Sequence, residues 1–154
     1  MKIKIGDELL TEYIRVRVRL DFRGEKRNGQ FFFGGKTKEQ VAELVRERQV
    51  AMLRNVPLQG VVLEDVDLSI DIYSIDEITG RRLQDIAYAP VLLTLRLENI
   101  EDLVPLLLKP EFRKIEVLSP DSVTIYRIDL ERTLYRLSQA FSEERKNMEQ
   151  KYYH

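Results

Sequence analysis

Two segments of this chain alternate with period two and carry opposite charge on their polar side. Ile14-Arg15-Val16-Arg17-Val18-Arg19-Leu20 sets three arginines between aliphatic residues, and Val66-Asp67-Leu68-Ser69-Ile70-Asp71-Ile72 does the same with two aspartates and a serine. Successive side chains on a strand point to opposite faces, so each segment predicts a strand with a buried aliphatic stripe and a charged face. The first strand is expected over residues 12–22 and the acidic one over about 61–73. Laid side by side, the arginines would face Asp67 and Asp71 and neutralise them.

The rest of the pattern fills in around these two. Residues 23–29 are polar and turn-rich, which predicts a hairpin loop, and Gln30-Phe31-Phe32-Phe33 reads as a short aromatic strand ending at Gly34-Gly35. Thr37-Lys38-Glu39-Gln40 has the spacing of a capping box. Val41, Leu44, Val45, Met52 and Leu53 then recur at helical intervals, with Glu43, Arg46, Glu47 and Arg54 elsewhere around the axis, up to Asn55-Val56-Pro57. Residues 76–81 predict a tight reversal with Gly80 at positive φ, and residues 82–87 a returning strand.

Tyr88-Ala89-Pro90 marks a candidate boundary between halves 1–88 and 91–154 of what is otherwise expected to be a single compact domain. Residues 91–97 are apolar almost throughout, as in a central strand covered on both faces. Asn99 is placed to cap a short helix over 100–109 that Pro105 shortens or kinks. Residues 112–118 and 122–128 read as strands joined by a Ser119-Pro120-Asp121 turn. Leu130, Leu134, Leu137 and Phe141 form one stripe of a final helix. That stripe is expected in the chain's own core, with residues 144–148 reaching across an interface between copies. The order β-β-α-β-β then β-α-β-β-α predicts an α+β fold with mainly antiparallel sheet and about three helices. The second half is expected to be ferredoxin-like.

Composition narrows the chemistry. The 154 residues are 44% hydrophobic and 33% charged, as in globular proteins, and 25 basic against 26 acidic side chains leave a net charge of −1. A nucleic-acid partner is disfavoured, because such binders carry a basic surplus. No apolar run approaches the roughly 18 residues of a membrane helix, and the start lacks a secretory core, so a cytoplasmic location is expected. Cysteine is absent and the only histidine is His154. Thiol nucleophiles, disulfides, thiolate zinc sites and imidazole-based triads are therefore excluded, and no cofactor is expected. Carboxylate, lysine or tyrosine chemistry and hard-cation binding remain.

Three candidate sites follow. Arg15, Arg17 and Arg19, with Tyr13 and Phe31 to Phe33 nearby, offer an anion- or RNA-binding sheet face, set against simple pairing with acids. Gly35-Lys36-Thr37 resembles the end of a phosphate-binding P-loop, but Gln30 stands where that pattern needs glycine, so a turn and helix cap compete with it. Asp65, Asp67 and Asp71 share one expected strand face and supply oxygen ligands for a cation. In the tail Tyr152-Tyr153-His154, the two tyrosines are expected either to anchor on a neighbouring subunit or to be disordered. Taken together, the residues lead to a non-catalytic, self-associating module that binds a small ligand or a protein partner. RNA or anion binding at the arginine face and a carboxylate-based enzyme are the alternatives.

Overall fold

The computed structural model describes residues 3–5, 8–10, 13–24 and 35–153. The expected loop beyond Gly24, the aromatic strand at 30–33 and His154 lie outside those residues. A short antiparallel pair, β1 (Ile3–Ile5) and β2 (Glu8–Leu10), comes first. The body is an α+β arrangement of three helices and a five-stranded antiparallel sheet. Its strands are β3 (Ile14–Gly24), β4 (Val61–Asp67), β5 (Tyr73–Thr79), β6 (Arg82–Leu97) and β7 (Phe112–Ser119). The sheet runs β4-β6-β3-β7, and β5 joins β6 on the same side as β4.

The strict alternation of β3 does what its pattern predicts: Ile14, Val16, Val18, Leu20 and Phe22 are buried. They meet Val91, Leu93, Leu95 and Leu97 of β6 in one apolar cluster. Helix α1 (Lys38–Asn55) lies across β3 and β6 on this face. It starts at the expected capping box, where the Gln40 amide donates to the Thr37 hydroxyl at 3.2 Å and the Thr37 amide to the Gln40 side chain at 3.0 Å. Small residues let α1 sit close: Ala42, Ala87 and Ala89 form a fully buried cluster. A Cβ on Gly24 would stand 2.4 Å from the Ala42 amide nitrogen. A 3₁₀ turn (Ile100–Leu103) and the short α2 (Val104–Leu107) complete the core with Leu103, Val104 and Leu106.

Several expectations are corrected. The basic and acidic strands are not neighbours, because β6 runs between β3 and β4. The expected strand over 61–73 is two strands, and Asp71 falls in the connection between them. The Asp67 side chain accepts the Ser69 amide at 2.8 Å, a local bond that competes with the ladder and ends β4. Tyr88-Ala89-Pro90 lies inside the continuous β6 rather than at a break. Pro90 fits there because β5 pairs up to Tyr88 and β4 resumes at Leu92, which leaves a gap on that side. Arg46, placed by the sequence away from the apolar stripe of α1, is buried and donates to the Pro90 carbonyl at 3.0 Å. Residues 122–128 form no strand; helix α3 (Arg127–Tyr153) begins within them. Asn99 stands at the cap position of the 3₁₀ turn without a side-chain cap bond.

Candidate functional site

The arginines of β3 share the sheet face opposite α1, and acids interleave with them. Arg15 reaches over β6 to Glu64 of β4, with Nη2 and Nε at 3.0 and 3.2 Å from one carboxylate oxygen. A bulge in β4 between Leu63 and Asp65 brings Glu64 to this face. Arg17 stands opposite Glu116 of β7 and near Asp67. Hydrogen bonds from Ser69 hold the Asp67 carboxyl below its usual range, and Lys114 does the same for Glu116, with Arg17 adding to both. Arg19 forms a two-point contact with Asp21 at 2.8 and 3.2 Å.

Asp21 is the hub of this face and is only 2% exposed. The Tyr73 hydroxyl also donates to it, and Arg113 lies 3.8 Å away. Burial first, and then the bond to Asp21, push the Tyr73 phenol up. Tyr88 stacks on Tyr73 with ring centroids 5.4 Å apart and donates to Glu77. Burial, reinforced by Glu77, pushes its phenol up to about 12, so it stays a neutral donor. Arg23 reaches the same Glu77 at 3.6 Å, and the Arg96 guanidinium caps the Tyr13 ring at 4.4 Å. The face is thus an interlocked ionic surface. Asp21 was missed from sequence, although it is the one acid in the row Arg15-Arg17-Arg19-Asp21-Arg23, which was the available signal.

The other candidates stay apart from this face and from one another. Gly35 adopts φ 65° and Lys36 is exposed, while Thr37 is occupied as the cap of α1. Asp65 and Asp67 stand opposite Thr94 and Leu92 on one face of β4, and Asp71 is off the strand. Among the described residues, no three carboxylate or histidine side chains converge to hold a metal ion. An open groove of about 600 Å³ runs between the end of α1 and β4, lined by Leu53, Pro57, Leu58 and Val62. The bulge and the acids Glu64, Asp65 and Asp67 on β4 oppose addition of a further strand there.

An unexpected exposed apolar surface lies on α3. Its attachment is polar: Arg132 reaches Glu101 at 3.4 Å, and Arg136 donates to the Glu101 carbonyl at 3.1 Å and lies 3.8 Å from Asp102. Burial, with the Glu101 charge adding, raises the Asp102 carboxyl. The half-buried side chains Asp129, Thr133, Arg136, Leu137 and Ala140 mark the docked face, with Leu137 at its edge beside the exposed stripe. At about 100° per residue, the Leu130-Leu134-Phe141-Met148 stripe lies roughly a quarter turn away. Leu130, Leu134, Leu137 and Phe141 are expected from the sequence in the chain's own core, yet Leu130, Leu134 and Phe141 are 47%, 56% and 58% exposed and Leu137 is half-buried. Met148, expected at an interface, is 52% exposed. From Phe141 to Lys151 every side chain is exposed. No helix among the described residues is long and apolar enough to cross a membrane. No protein-family model, curated protein or solved structure matches this chain.

Proposed function

We propose that this chain is a non-catalytic, self-associating module, and that α3 supplies its contact with a second copy. The observation that carries this reading is the exposure of the apolar stripe Leu130, Leu134, Phe141 and Met148, on a helix whose attachment to the body uses a different face. Helices in water owe most of their stability to packing of an apolar face. Here the stripe is left to solvent from Leu130 to Met148 of a 27-residue helix. The arginine face is a poorer contact for a partner, since Glu64, Asp21, Asp67 and Glu116 already temper its charge.

Sedimentation velocity across a wide concentration range tests the reading. A concentration-dependent monomer–dimer equilibrium is expected, and Leu134→Glu should shift it to monomer while leaving the circular-dichroism spectrum intact. A wild-type chain that sediments as a monomer at every accessible concentration rules the proposal out.

A further inference from the structure

Resting on the reading of α3 as a self-association face, we infer that two copies pair this helix antiparallel about a two-fold axis beside Gln139. Leu130, Leu134, Leu137, Phe141 and Met148 are spaced by four, three, four and seven residues, the narrow seam of a two-helix contact. In an antiparallel pair centred at Gln139, Leu137 of each copy meets Phe141 of the other, Leu130 meets Met148, and Leu134 meets the aliphatic stem of Glu144, whose carboxylate reaches out to water. Charge selects this orientation and register. Flanking the seam, Glu131 of one helix comes beside Arg145 of the other, and symmetry repeats the pair at the opposite end.

Both side chains are exposed, and neither forms an ion pair with another described residue of its own chain. At the axis Ser138 meets Ser138, a small pair that leaves room for the Phe141 ring. Parallel pairing instead stacks Glu144 on Glu144 within the seam and leaves Glu131 and Arg145 without partners, an arrangement that like-charge repulsion disfavours. The antiparallel contact is isologous and closes on itself, so it makes dimers and not filaments. It also sets the two α+β bodies at opposite ends of the helix pair.

The chain contains no cysteine, so single introduced cysteines carry spin labels without background. Labels on Ser138→Cys should lie almost level along the helix axis, whereas labels on Glu149→Cys should be offset by about 30 Å. Glu131→Arg and Arg145→Glu should each weaken dimerisation about fivefold, and the double variant should restore it. A dimer with short separations at both labels, or with no rescue in the double variant, overturns this register but leaves self-association standing. A wild-type monomer overturns both.

Discussion

A carboxylate buried in a row of arginines organises the open face of the sheet. Asp21 is 2% exposed and takes bonds from Arg19 and Tyr73. Replacing it by Asn keeps the shape but removes the charge that holds those donors, so Asp21→Asn should cost about 2–3 kcal/mol of unfolding free energy in urea titrations. Tyr73→Phe deletes one bond from a partner that keeps others, and about 1 kcal/mol is expected. A loss in Tyr73→Phe as large as in Asp21→Asn would remove Asp21 from the centre of this network. Gly24 makes a different demand. A methyl there would stand 2.4 Å from both the Ala42 amide nitrogen and the Lys38 carbonyl oxygen. Gly24→Ala should therefore destabilise by about 3 kcal/mol. Because those atoms are backbone, Ala42→Gly should not restore stability; restoration would mean that the contact is made by side chains.

At the scale of elements, legibility tracked how many faces of each segment are buried. The alternation of β3 and the capping box of α1 are local signals, and both elements stand where the sequence put them. β6 defeated the reading because Ile86 to Val91 are buried on both faces, so alternation is lost and Pro90 looked like a break. Strand order is a non-local property, and nothing in the two charged ribbons revealed that β6 would run between them. The stripe of α3 was legible as a helix, but the partner of that stripe was not, since periodicity reports a face and not what covers it. The face α3 does dock is held by Glu101 and Asp102, which no apolar pattern marks. That junction should respond to pH. Burial raises the Asp102 carboxyl above its ordinary value of 3.8. A raised carboxyl binds its proton more tightly in the folded chain than in the unfolded one, so its contribution to stability falls as pH rises from that value through the raised one. Asp102→Asn removes this slope. Urea midpoints of the variant should gain on wild type between acid and neutral pH, and a constant difference across that range would contradict the assignment.

For the whole molecule, the size of the α3 contact sets how association should be felt. A helix of 27 residues is about 40 Å long and about 10 Å across. A contact along one side of it covers roughly 400 Å² per partner, half of the standard interface, so association in the micromolar range is expected. Folding and pairing are then linked, because a dimer that forms only from folded chains draws the folding equilibrium toward itself as concentration rises. With an enthalpy of unfolding typical of this chain length, each tenfold rise in concentration above the dissociation constant should raise the melting temperature by about 2 °C. Leu134→Glu should melt at one temperature throughout, because its stripe can no longer be covered. The comparison separates two roles for α3. If the wild type also melts independently of concentration, the exposed leucines and Phe141 contribute nothing through a second copy, and the long helix must be stable on the strength of its local contacts and its grip on Glu101 and Asp102 alone.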